Sequence, residues 1–148
     1  MINFFLMVNK HGQTRLANYF ERVEGRTVEE RAGQEAEIVR KCLSRKDNQC
    51  SFFAYQGAQI MYRRYASLFF IVGCDDENEL AILEFIHTFV ETLDRYFENV
   101  CELDIMKNLE AVHFMLDEMV MNGCIVETNK QNIMAPIMLM DKYTAKGK

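Results

Sequence analysis

Chemistry in a protein needs nucleophiles, bases or metal ligands held close together, and this chain offers few. His11, His87 and His113 have no neighbouring serine or cysteine in sequence to form a nucleophile–base pair. His87 and His113 fall inside amphipathic helical patterns, where packing or surface exposure explains them, although pairing in space stays open. The acidic run DDENE (75–79) lacks the ligand spacing and central glycine of an EF-hand. It suits the N-terminus of the helical segment that follows. Cys42, Cys50, Cys74, Cys101 and Cys124 are odd in number and form no CxxC pair, which argues against a disulfide framework or a zinc site. Free, mostly buried thiols in a reducing compartment are expected. No glycine loop is built to cradle phosphate. The expectation is a chain that binds rather than catalyses, with neither metal nor cofactor.

Binding leaves other marks. In YRRYASLFFIVG (62–73), Arg63 and Arg64 stand between two tyrosines just before the chain turns apolar. They decorate a solvent-facing edge or hold something acidic beside a greasy groove. Charge is uneven: residues 1–64 carry 11 basic and 7 acidic side chains, residues 65–148 carry 6 and 15. The total of −5 gives nucleic-acid binding little support, whereas one face could meet acidic partners or an anionic membrane. Of ten methionines, Met115 and Met119 read as helical core. Met134, Met138 and Met140 could rest on a partner chain.

The elements that must position these residues follow from hydrophobic period. A chain of 148 residues, 49% apolar and 26% charged, is expected to form one domain. INFFLMV (2–8) is nearly continuously apolar and predicts a strand buried on both faces; after a turn, TRLANYFE (14–21) completes a hairpin. TVEERAGQEAEIVRKCLS predicts a helix, with Thr27 and Glu30 in capping positions. Three strand-like runs follow at 50–57, 58–66 and 68–75, joined so tightly that they must be antiparallel neighbours. Leu80, Leu83, Ile86, Val90, Leu93 and Phe97, broadened by Ile82, Phe85 and Phe89, predict a helix packed on more than one neighbour. ELDIMKNLEAVHFMLDEMVMNG predicts another, built on Leu109, Val112, Leu116 and Met119 and stopped by Gly123. QNIMAPIMLM, interrupted by Pro136, closes the chain as a short helix. The order ββαβββαα is an α+β arrangement, a five-stranded, mostly antiparallel sheet with helices packed on it. The opening lacks a signal-peptide pattern and no stretch nears the ~18 apolar residues of a membrane span. A cytosolic chain with at most peripheral membrane contact is expected.

YRRYASLFF, FIHTFVETLDRYFENVCELDI, LDEMVMNGCIVET and the opening FFLMVNKHGQTRL together resemble the small (sigma) chains of the heterotetrameric adaptor protein complexes of vesicle coats. The likeness runs from Met1 to about Met140, while Val23–Gln34 departs from it. NGCIVETN, CSFFAY and FFLMVNK are most similar to the sigma chain of the fourth adaptor complex. The resemblance implies a longin-like domain over 1–141 and a polar tail over 142–148. It implies packing against a large, epsilon-type chain, in a heterotetramer with beta and mu chains. It implies trans-Golgi network or endosomal sorting, with recruitment by an Arf-family GTPase. Sigma chains of several such complexes bind acidic dileucine signals, a carboxylate several residues before two adjacent aliphatics. Carried over, Ala66, Leu68, Val90, Val100 and Ile105 would cup the leucines, Ile105 being a conservative departure. Asn99 would donate to the peptide backbone and Arg15 to the acid, beside a basic residue of the large chain. The alternative for Val90, Val100 and Ile105 is ordinary core; for Arg63 and Arg64, pairing with acidic groups of this chain or its partner. The competing function is a free-standing longin-type regulatory domain in membrane trafficking, or a sigma chain of another adaptor class.

Overall fold

The computed structural model describes residues 2–20, 28–45, 52–65, 67–75, 79–98, 100–121, 124–125 and 130–146. Strands β1 (Ile2–Asn9), β2 (Thr14–Tyr19), β3 (Phe52–Tyr55), β4 (Ala58–Tyr65) and β5 (Leu68–Cys74) form one sheet in the order β2-β1-β5-β4-β3. Every neighbouring pair is antiparallel. β1 lies inside the sheet, between β2 and the central strand β5, and its nearly continuous apolar run is covered on both faces. Its side chains alternate accordingly. Phe5 and Met7 point to one side, Phe4, Leu6 and Val8 to the other. β5 does the same, with Leu68, Phe70, Val72 and Cys74 opposite Phe69 and Ile71.

One face is covered by helix α1 (Val28–Ser44) through Ile38, Val39 and Cys42. Burial pushes the Cys42 thiol up to about 12. Thr27, expected as its cap, lies outside the described residues. The other face receives α2 (Glu79–Phe97), whose Phe85 and Phe89 meet Phe5 edge-on at 6.1 and 5.1 Å between ring centroids. The buried stripe of α2 is Ile82, Phe85, Ile86, Phe89, Val90 and Leu93. Leu80, expected in that stripe, is 75% exposed. The register of α2 is set by the wider aromatic row, which turns Leu80 outward.

The segment expected as one long helix is two, α3 (Glu102–Lys107) and α4 (Leu109–Met119). Asn108 breaks it, at φ −129° and ψ 38°. Its side-chain amide donates to the Asp104 carbonyl at 2.9 Å, alongside its own backbone N–H at 3.1 Å, and so closes the last turn of α3. α4 ends before the expected Gly123, handing over at Val120 to a two-stranded ribbon, β6 (Val120–Met121) and β7 (Cys124–Ile125), that periodicity did not suggest. Helix α5 (Lys130–Lys146) packs on α2 and α4. It is longer than expected, passing through Pro136 and across residue 142 where a tail was drawn.

Candidate functional site

Of the carried-over residues, Arg15, Leu68, Val90, Val100 and Ile105 are described, and they lie around one corner, where the ends of β1 and the β4–β5 hairpin meet the α2–α3 connection. Tyr65 and Leu68 face each other across the hairpin end, and Leu68 is in turn the cross-strand partner of Asn9 at the end of β1. Two polar ties hold the α2–α3 connection against this corner. In the first, Asp94 near the end of α2 accepts from the Tyr65 hydroxyl with one oxygen, and from the Val100 backbone N–H at 3.0 Å with the other. The hydrogen bond from Tyr65 to the Asp94 carboxylate raises the phenol above its ordinary range, so that hydroxyl stays a donor.

The second tie centres on Glu102, in the first turn of α3. Its Oε1 accepts from Arg15 Nε at 2.7 Å and from Asn9 Nδ2 at 2.9 Å. Gln13 bridges the same pair, its Oε1 accepting from Arg15 Nη2 and Asn9 Nδ2, each at 2.9 Å. Asn9 is itself 2% exposed, and its Oδ1 accepts from the backbone N–H groups of His11 and Gln13. The β1–β2 turn is thereby organised around one buried amide, an Asx-type arrangement that aims Arg15 at α3. The hydrogen bond from Asn9, and then that from Arg15, holds the Glu102 carboxyl below its ordinary range.

The aliphatic residues beneath are nearly closed. Leu68 and Ile105 are 1% and 0% exposed, and Val90 and Val100 show 7% and 5%. All four belong to the core between the sheet and α2–α5, as the ordinary-core alternative has it. Ala66 and Asn99 lie outside the described residues. Arg63 and Arg64 are exposed on β4, and Arg64 stands over the Phe69 ring at 5.8 Å. Glu102, Asp94 and Asn9 were not among the residues the sequence singled out. The contacts of Glu102 with Arg15 and Asn9 span 87 and 93 positions and that of Asp94 with Tyr65 spans 29, while the local signals were the acidic first turn of α3 and the turn that starts at Asn9.

Among the described residues, no cluster of His, Cys, Asp and Glu could hold a metal ion. No described helix is long and apolar enough to cross a membrane. A cavity of about 280 Å³ lies on the α1 side between Phe4, Tyr19, Ile38 and Tyr55. A groove of about 360 Å³ lies between α2, α4 and α5, walled by Tyr96, Phe114, Ile137 and Met140.

Comparison with known proteins gives these features a setting. The family described as the clathrin adaptor complex small chain matches residues 1–144. The "AP-4 complex subunit sigma" of Arabidopsis thaliana is 68% identical over 142 residues, covering 95% of this chain and 97% of that protein. The human "AP-4 complex subunit sigma-1" is 57% identical over 145 residues, covering 97% and 99%. Among structures, a chain of the "homology model of the full-length AP-3 complex in a stretched open conformation" superposes with a TM-score of 0.75. It is 32% identical and covers 99% of this chain and 97% of that one.

Proposed function

Because this chain belongs to the family of clathrin adaptor complex small chains, we propose that it is the sigma subunit of a fourth-type adaptor heterotetramer, non-catalytic and packed on the trunk of a large, epsilon-type chain. The observation that carries the reading is the end-to-end match to AP-4 sigma chains at 68% and 57% identity. A second support is physical. Leu103, Met106, Leu109, Met138, Leu139 and Met140 are all at least 37% exposed, an apolar surface that a subunit interface would cover. Through the assembled complex the chain takes part in vesicle-coat sorting at the trans-Golgi network or endosomes, recruited by an Arf-family GTPase.

Within that role, the corner of Arg15, Ala66, Leu68, Val90, Asn99, Val100 and Ile105 receives an acidic dileucine signal. Arg15 supplies the cation, and the leucines enter where Val90 and Val100 reach the surface, the segment that carries Val100 giving way. Two measurements test this. The chain, expressed in cells, should bring down a large trunk-like chain together with beta and mu chains. A self-sufficient monomer without such a companion defeats the subunit reading and favours a free-standing longin-type domain. With the assembled complex, a peptide bearing an acid several residues before Leu-Leu should bind more tightly than its double-alanine version. Equal binding defeats the cargo role alone.

A further inference from the structure

Arg15 does not stand free to meet an acid. Glu102 and Gln13 fill the Nε and Nη2 edge of its guanidinium at 2.7 and 2.9 Å. The Arg15 and Glu102 side chains are each 26% exposed, so the pair sits at the rim where a peptide would arrive. Asn9, buried and fixed by the β1–β2 turn, donates a further hydrogen bond to the same Glu102 oxygen and pins the carboxylate in place. A peptide carboxylate reaching Arg15 is left with the other guanidinium edge, and meets a second negative charge already bound to the same cation.

We propose that Glu102 is a specificity-determining residue: an internal carboxylate that occupies Arg15, which an acidic signal must displace or share, so that the subunit reads the leucines strongly and the acid weakly. The proposal rests on the dileucine reading above and assigns a regulating group to that same site. Releasing Glu102 from Arg15, through a partner cation or a shift of the α3 N-terminus, would switch the acid requirement on.

The test is fluorescence anisotropy on the assembled heterotetramer with three labelled peptides: Glu…Leu-Leu, Gln…Leu-Leu and Glu…Ala-Ala. Acid preference is the ratio of Kd for the Gln peptide to that for the Glu peptide. Glu102→Gln keeps an oxygen that can accept from Arg15 and Asn9 but removes the charge. It should widen the ratio about threefold or more, the span expected of a partly exposed charge pair, and change the Gln-peptide Kd by less than about twofold. Glu102→Asp, which draws the charge back by one methylene, should fall between, and serves if Glu102→Gln does not assemble. Arg15→Gln should bring the ratio to about one whatever stands at 102. A ratio unchanged or narrowed in Glu102→Gln, with leucine dependence intact, overturns this proposal alone; Glu102 would then merely orient Arg15. Loss of any difference between the Leu-Leu and Ala-Ala peptides overturns the dileucine reading and this proposal together.

Discussion

A single carboxylate shows how much of this corner is electrostatic. Glu102 titrates below its ordinary 4.5 because the folded chain offers its anion donors from Asn9 and Arg15. The unfolded chain therefore binds more protons in that window, and stability rises with pH. The contribution is complete above about 4.5 and disappears as pH falls through the lowered folded value. Acid unfolding followed by circular dichroism should start at higher pH in the wild type, relative to its own neutral-pH stability, than in Glu102→Gln. Identical profiles would mean the network confers nothing. At Gly73 the constraint is steric. An added Cβ would stand 2.2 Å from a ring carbon of Phe4, its cross-strand partner. Gly73→Ala forces that ring outward and should cost about 1–3 kcal/mol, read as a lower denaturation midpoint; no change would show that Phe4 swings clear freely. Of these residues Arg15 was legible from the resemblance. Glu102 was not, because its partners lie 87 and 93 positions away.

Elements here are joined by few but specific ties. Asp94 spans three of them: it belongs to α2, accepts from Tyr65 at the end of β4, and accepts from the backbone of the α2–α3 connection at Val100. Its loss strands one buried N–H and frees the connection, so Asp94→Ala should destabilise by about 1–3 kcal/mol. Hydrogen exchange at the Val100 amide should quicken well beyond the change in global stability. Exchange that tracks global unfolding alone would deny Asp94 this local role. The hairpin between β3 and β4 shows the opposite economy. Gln56 and Gly57 both adopt positive φ, 47° and 82°, as a two-residue turn matched to strand twist demands. Glycine meets that need without strain, while Gln56 is an uncommon occupant. Short connections foretold the pairing; the break at Asn108 did not announce itself, because apolar period runs on through it from Ile105 to Leu109 and Val112.

At the scale of the whole molecule the sheet is finished and the helical side is not. α5 buries Ile133 and Ile137 against α2 and α4 yet turns Met138, Leu139 and Met140 outward, at 56%, 54% and 47% exposure. A helix apolar on its inner and outer faces needs cover from both sides. Replacing Met138 and Leu139 by glutamine should change the stability of the isolated chain by no more than about 0.5 kcal/mol. Recovery of the large chain in co-purification should fall. Undiminished recovery would place the subunit interface elsewhere, and unfolding of the isolated chain would mean that these residues serve its own core.

The order of the main elements, the five antiparallel strands and the absence of local catalytic motifs were all determined by sequence alone. They depend on period and short connections, which act between residues near in the chain. The family, too, was legible in YRRYASLFF, FIHTFVETLDRYFENVCELDI and LDEMVMNGCIVET. Tertiary structure decided which apolar residues face inward, Leu80 being turned out by the aromatic row of α2. It also decided that Arg15 is paired with Glu102. A charge pair joining residues on β2 and α3 depends on how the β1–β2 turn and the α2–α3 connection come together in space, and no local spacing encodes that distance.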